Sequence, residues 1–206
     1  VRFSVAGNIG KVLVMLLAPF LGKPVPLLPL HLLWLNLLTD GLLGLGMGVE
    51  KPEPGTMKRM PYNPQEGVFS RGGGTLVLLT GILIGALALA IGSWYFFTGQ
   101  PQWRTMIFTS LAFMQVFQVL ASRSESESFF SAGIFTNRVM MLMVLVVVAL
   151  QGVIIYVPVL REFFDITYLG IADISVCVLS GAIVFIFIEV IKKISSSGRG
   201  DAVKNG

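Results

Sequence analysis

Six apolar stretches of about 20 residues each follow one another along this 206-residue sequence, and they leave few possible folds. A helical stretch of about 20 apolar residues matches the ~30 Å hydrocarbon thickness of a bilayer. In lipid the backbone must satisfy its own hydrogen bonds, which a helix does within one segment. We therefore predict an all-α integral membrane protein, a bundle of six transmembrane helices in one domain of residues 1–194. The predicted spans are about 3–21, 27–49, 75–97, 103–122, 139–157 and 171–191.

The composition excludes several other classes of protein. Hydrophobic residues make up 54% of the chain and charged residues only 13%, where a soluble domain has about 25% charged residues. The basic residues lie mainly between the apolar stretches, so the lipid bilayer is the expected partner and nucleic acid is not. Cys177 is the single cysteine, which excludes a disulfide framework and a thiolate metal site.

The basic residues are distributed unevenly between the two ends of the predicted spans. If the connection after the second span is cytoplasmic, eleven Lys and Arg residues lie on that side and three on the other, while Lys11 belongs to neither. An excess of Lys and Arg marks the cytoplasmic face, so this bias predicts a multi-pass protein with a cytoplasmic C-terminus. Residues 195–206 are rich in Ser, Gly and Lys, and we expect them to form a disordered cytoplasmic tail.

The second predicted span carries polar side chains at membrane depth. Asn36, Thr39 and Asp40 are spaced so that all three can face one side of a helix. A carboxylate at the centre of a spanning helix costs roughly 2.5–3.5 kcal/mol on insertion scales, so it normally marks an ion or substrate path. Glycines at 41, 44, 46 and 48 weaken the helix, and we predict that it is unwound near Asp40 and Gly41. Oxygen ligands of this kind suit a hard cation, and Asn36 and Asp40 are the predicted ligands of a metal ion.

Lys11 is a second charged residue at this depth. It lies nine residues after Arg2 and twelve before Lys23, which places it near the bilayer centre at about 1.5 Å per residue. Its ammonium cannot easily reach either surface, so a partner is expected, and Asp40 is the natural candidate. Two interpretations remain open: a structural pair that neutralises two buried charges, or an ammonium that shares the carboxylate with a transported cation. Asn8, three residues before Lys11, lies on the same helix face.

Other polar and small residues within the spans indicate contacts between helices. Gln115 and Gln118 lie three residues apart on the fourth span and can both face the polar centre. Interhelical hydrogen bonding is the alternative for this pair, the preferred one for Gln118, and also our interpretation of Gln151. Gly81 and Gly85 form a G-x-x-x-G motif that predicts close packing of the third span.

The sequence lacks the usual motifs of covalent catalysis. It contains no glycine-rich phosphate loop, no His/Cys metal cluster and no plausible nucleophile–base pair. We therefore do not expect this chain to hydrolyse ATP alone.

Several motifs resemble those of the type II P-type cation ATPases, and most of all the calcium-pump branch. They are L-L-W-L-N-L-L-T-D-G-L at 32–42, M-K-R-M-P at 57–61, S-R-G at 70–72, G-N-I-G at 7–10 and S-E-S-E-S at 124–128. The resemblance covers essentially the whole chain, in order, as the fifth to tenth membrane helices of that family. The N-x-x-T-D-G element is its specific part, and the last three spans match mainly in length and hydropathy.

The resemblance implies a set of cation ligands from three spans: Asn8, Asn36, Thr39, Asp40 and Gln115. The chain departs from the family pattern at three positions. Lys11 stands where calcium pumps have a glutamate, Gln115 stands in place of another glutamate, and Leu43 stands in place of a proline. A site for two divalent ions would thereby lose three units of balancing negative charge. Because two unit charges ~4 Å apart interact by about 4 kcal/mol at an effective dielectric of ~20, we predict at most one cation near Asp40, with Lys11 as a built-in counter-cation.

These features predict the C-terminal transport portion of an ATP-driven cation pump. Val1 opens directly into helix-like sequence, so we expect the chain to be part of a larger protein. The resemblance implies that the phosphorylation, nucleotide and actuator domains, which use Mg-ATP, and the first four helices precede it. It also implies that the loop 50–74 faces the phosphorylation domain. The transported cation is calcium, another metal ion or a proton. Two alternatives stay open: a passive channel or secondary transporter with an Asp40–Lys11 site, and a structural membrane subunit.

Overall fold

The computed structural model describes residues 1–49, 73–123 and 137–204, and it describes side chains as far as residue 194. Every regular element in these ranges is a helix, and six are long and apolar enough to cross a membrane, which confirms the predicted all-α bundle. Their ends lie within three residues of the predicted limits. The six spans are Arg2–Phe20, Pro29–Gly48, Gly73–Phe97, Trp103–Ala121, Arg138–Tyr156 and Ile171–Ile194.

Local sequence explains where the spans begin and end. The first span is followed by Gly22 at φ 72°, and the third by Gly99 at φ 73°, a backbone region that glycine adopts without steric cost. Asn137 precedes the fifth span, and its side-chain oxygen accepts a hydrogen bond from the backbone N–H of Met140 at 2.9 Å, as an N-cap residue does. Pro158 ends that span and begins a short helix, Pro158–Phe163.

The fourth span is the centre of the bundle. Of its apolar segment 78% is buried, against 28–39% for the other spans. It packs most extensively on the sixth span, while the first span packs on the third and the second on the fifth. Phe108, Leu111 and Met114 of the fourth span are completely buried in the main core. The fourth span therefore fixes the positions of the spans that carry the polar residues.

The predicted close packing at the G-x-x-x-G motif is confirmed. A Cβ atom added to Gly81 would lie 2.9 Å from the backbone oxygen of Ala6, and one added to Gly85 would lie 3.2 Å from that of Gly10. Backbone atoms cannot turn aside as a flexible side chain can. The third span thus approaches the first through two glycines, which leaves the opposite side of the first span for its polar residues.

Polar contacts tie the ends of the spans together near Lys23. Its ammonium donates a hydrogen bond to Ser93 Oγ at 2.8 Å and lies 5.0 Å from the ring centroid of Phe97. Lys23 is buried, and this burial lowers the pKa of its ammonium below the usual value. Nearby, the hydroxyl of Tyr95 donates to Asp173 Oδ1 at 2.7 Å. These contacts join the first, third and sixth spans.

Three sequence predictions concern parts of the chain that the structure describes incompletely or not at all. The loop 50–74 lies outside the described residues except for its last two positions, and so does the motif at 124–128. The helix of the sixth span runs from Ile171 to Lys204 and so extends into the segment 195–206. That this segment is a disordered tail stays a prediction.

Candidate cation site

Lys11 and Asp40 meet in the interior of the bundle. The ammonium nitrogen of Lys11 lies 2.7 Å from Asp40 Oδ2 and 2.6 Å from Asn36 Oδ1, and it donates a hydrogen bond to each. Only 3% of Lys11 and 9% of Asp40 is exposed. Asp40 is therefore the partner of Lys11, as the sequence predicted. One cationic group already occupies one side of the candidate site.

The backbone around Asp40 differs from the sequence prediction. We predicted unwinding near Asp40 and Gly41, but a regular α-helix runs from Asp40 to Gly48. The irregular part lies one turn earlier, as a π-helix from Trp34 to Thr39. Within the membrane a π-helix still pairs its backbone groups, here with the N–H of Asp40 bonded to the oxygen of Leu35, whereas an unwound turn leaves them unsatisfied. The span therefore widens at the candidate site instead of opening.

Polar side-chain atoms of Thr39, Asp40 and Gln115 have no hydrogen-bond partner among the described residues. They are Thr39 Oγ1, Asp40 Oδ1 and both carboxamide atoms of Gln115. All are buried, and buried polar atoms normally have a partner. Hydroxyl, carboxylate and amide oxygens are also the ligand types that hard cations take. Three buried oxygens from two spans thus lack a hydrogen-bond donor among the described residues, and no group of three His, Cys, Asp or Glu side chains forms a metal cluster in the described ranges.

Gln115 packs closely on the first span because the residue that faces it there, Gly7, has no side chain. A Cβ atom added to Gly7 of the first span would lie 2.9 Å from Gln115 Nε2. Gln115 is completely buried against this glycine. Gln115 of the fourth span therefore packs on the first span at Gly7, which lies four residues before Lys11 along the chain.

The two asparagines differ in position from these buried groups. Asn8 and Asn36 are both exposed on the surface of the described bundle. Asn36 still turns its side-chain oxygen to Lys11, whereas no comparable contact brings Asn8 to the pair. Of the predicted ligands, the structure joins Asn36 and Asp40 through Lys11, buries Thr39 and Gln115, and leaves Asn8 at the surface.

The predicted structural roles of two glutamines are confirmed. Gln118 donates from Nε2 to the backbone oxygen of Phe3 at 3.1 Å, which links the fourth and first spans. Gln151 accepts a hydrogen bond from Trp34 Nε1 at 3.1 Å and donates to Thr109 Oγ1 at 3.3 Å. It therefore links the second, fifth and fourth spans.

Further contacts, which the sequence did not predict, hold the N-terminal part of the second span. His31 is completely buried, stacks on Phe108 at 4.6 Å, and has Nε2 at 2.7 Å from the backbone oxygen of Phe164. Trp34 meets the same Phe164 ring edge-on at 5.2 Å. A lone histidine near a helix end carries no sequence signal for such contacts, because its partners come from residues far along the chain.

Comparison with known proteins gives a consistent family. Residues 24–194 match the profile of the family described as cation transporting ATPase, C-terminus. The calcium-transporting ATPase of Bacillus subtilis is 39% identical over 168 residues, which cover 80% of this chain and 19% of that protein. Calcium-transporting ATPase 1 of Bacillus cereus is 33% identical, over 93% of this chain and 24% of its own length. Human calcium-transporting ATPase type 2C member 1 is 28% identical, over 96% of this chain and 22% of its own length. The chain thus spans about a fifth to a quarter of the length of these relatives.

Proposed function

Because this chain belongs to the cation-transporting ATPase C-terminal family, and is the C-terminal membrane region of a type II P-type ATPase, we propose that it supplies part of the transport site of an ATP-driven cation pump. The observation that carries the proposal is the buried Lys11–Asp40 pair, together with unpartnered buried oxygens of Thr39, Asp40 and Gln115. Purely structural pairing would not require an unpartnered oxygen on Asp40 itself. Nothing in the structure or the comparisons favours a passive channel, a secondary transporter or a structural subunit.

We further propose that the pump carries one cation at a time at Asp40. The ammonium of Lys11 takes up Asp40 Oδ2 and the amide oxygen of Asn36, so among the candidate ligands that the structure describes only Asp40 Oδ1 and neutral oxygens remain for the cation. Lys11 also neutralises the single carboxylate of the pair. A second cation would therefore find neither balancing charge nor free ligands in the described parts of these spans, and the nearby ammonium strongly opposes the addition of a second divalent charge. Lys11 acts as a built-in counter-cation.

The names of the relatives point to calcium as the carried cation. We propose a single calcium ion, with a monovalent ion or a proton as the alternatives that the experiment must separate. Mg-ATP and the phosphorylation, nucleotide and actuator domains belong to the remainder of the pump. We also propose that the C-terminus is cytoplasmic, since the positive-inside bias supports that orientation.

Transport by the full-length protein tests the site. Wild type, Lys11→Met and Lys11→Glu are reconstituted in vesicles, and ions moved per ATP are counted for calcium, sodium and protons. We expect one cation per ATP in the wild type and a second, or a change of ion preference, in Lys11→Glu, because a carboxylate then replaces the ammonium. Lys11→Met is the control for loss of the charge alone. Unchanged ion preference and stoichiometry in Lys11→Glu would contradict the single-cation proposal.

A further inference from the structure

Two contacts hold the second span against the fifth span and its N-cap residue. One lies at the start of the π-helix, and the other lies beyond its end. At the first residue of the π-helix, the Trp34 indole N–H is bonded to Gln151. Beyond the π-helix, near the C-terminal end of the second span, Asn137 Nδ2 donates to the backbone oxygen of Gly46 at 3.0 Å. A Cβ atom added to Gly46 would lie 3.0 Å from Met140 Cα, so the two backbones are in close contact there. The fifth span and its N-cap residue therefore hold the second span at the start of the π-helix and beyond its end.

These fixed points determine the helical phase of Asp40. An α-helix turns by about 100° per residue, and a π-helix holds additional chain in one turn. If Trp34–Thr39 became a regular α-helix while Gly46 stayed on the fifth span, the part before the π-helix would rotate by about 100° relative to the part after it. Trp34 could not then remain on Gln151. Conversely, if Trp34 stayed, Asp40 would turn away from Lys11.

We propose that Gln151 is a positioning residue for the cation site, and that it acts through Trp34 to keep the π-helix. Its carboxamide is well suited to this task, because both of its polar atoms are bonded: Oε1 accepts from Trp34 and Nε2 donates to Thr109 of the fourth span. Only 2% of Gln151 is exposed and Thr109 is fully buried, so water cannot readily replace either bond. Among the described residues, the hydrogen bonds of Gln151 go to Trp34 and Thr109 and not to a candidate ligand. It sets the geometry in which Asn36 and Asp40 share the Lys11 ammonium.

The inference rests on the proposed function, since it concerns the affinity of the same site. The variants are made in the full-length protein. Gln151→Leu removes both hydrogen bonds, and Trp34→Phe removes only the indole donor. Gln118→Leu is the matched control, because it also removes an interhelical glutamine bond but one that joins the first and fourth spans. The measured quantity is the calcium concentration that gives half-maximal ATPase activity, with the melting temperature of the detergent-solubilised protein recorded in parallel.

We expect Gln151→Leu to raise the half-maximal calcium concentration by at least about threefold, the factor expected for one interhelical hydrogen bond in a membrane protein. Trp34→Phe should give a similar rise, and the double variant should give no more than the larger single effect, because both act through one contact. Gln118→Leu should leave the calcium dependence within experimental error of the wild type.

Three results would overturn the positioning role. The first is a lower melting temperature of Gln151→Leu with unchanged calcium dependence, and the second is an equal shift in Gln118→Leu. The third is a double variant whose effects simply add. Asp40→Asn separates these outcomes from a failure of the proposed function. If that variant keeps the wild-type calcium dependence, the site itself is wrong, whereas its loss together with an unaffected Gln151→Leu contradicts only the role of Gln151.

Discussion

Lys11 is the residue whose chemistry most limits what the candidate site can do. Its ammonium is bonded to Asn36 and Asp40 at 2.6 and 2.7 Å, so it fills part of the space between oxygens that would otherwise face a metal ion. A buried ion pair contributes little net stability when it is complete, but it is costly to break. The pair therefore has a testable energetic signature that does not depend on transport.

We expect Asp40→Asn to lower the free energy of unfolding by about 3–5 kcal/mol, because the Lys11 ammonium would stay buried without a carboxylate. The double variant Lys11→Met with Asp40→Leu should be at least as stable as the wild type, because apolar replacement of a buried pair is often neutral or stabilising. Chemical unfolding of the detergent-solubilised full-length protein measures both. A double variant that is as unstable as Asp40→Asn would show that the ion pair is not the cause.

At the scale of single helices, the spans combine close glycine contacts with a local change of helix type. Gly81 and Gly85 let the third span approach the first, and Gly46 lets the second approach the fifth. Between Trp34 and Thr39 the second span is a π-helix, a form that is often found at functional sites. The glycine contacts hold the helices at fixed distances, and the π-helix sets the angular position of the side chains.

Gly81→Ala should destabilise the protein, because the added methyl group would contact the Ala6 backbone oxygen at 2.9 Å and force the first and third spans apart. Gly152→Ala is the matched control on the fifth span, since nothing in the described structure lies within 4 Å of its added Cβ. Alanine is also favoured over glycine within a helix by up to about 1 kcal/mol. We therefore expect a lower melting temperature for Gly81→Ala and an equal or higher one for Gly152→Ala. Equal behaviour of the two variants would mean that the glycine contact does not limit helix approach.

At the scale of the whole molecule, the buried fourth span organises the bundle, and the distribution of basic residues predicts its orientation in the membrane. Eleven basic residues lie on the side assigned to the cytoplasm, against three on the other. Fusing a reporter after Gly206 tests the assignment: a fluorescent protein should be active there, and a periplasmic phosphatase should be inactive. The reciprocal fusions after Thr98, between the third and fourth spans, should give the opposite result. Phosphatase activity at the C-terminus would reverse the topology.

Much of the fold could be predicted because the determining pattern is local. About 20 apolar residues predict each span, and residues such as Gly22 and Pro158 indicate where a span ends. The Lys11–Asp40 pair was also predictable, because a charge within the membrane is costly and two opposite charges at the same depth stabilise each other by pairing. The π-helix was not, and unwinding at Asp40 was wrong. Glycines indicate a weak helix, but they do not predict whether the chain unwinds or forms a π-helix there.

The sequence by itself therefore determined the class of fold, the number of spans and the pair of charges at their centre, because hydrophobicity and buried charge act through composition and depth. Only the tertiary structure decided which oxygens stay without a partner, that Gln151 reaches Trp34, and that Asn8 stays at the surface of the described bundle. These features depend on the rotation of one helix against another. That rotation is set by contacts between residues more than a hundred positions apart, such as Trp34 with Gln151, and no local pattern in the chain specifies it.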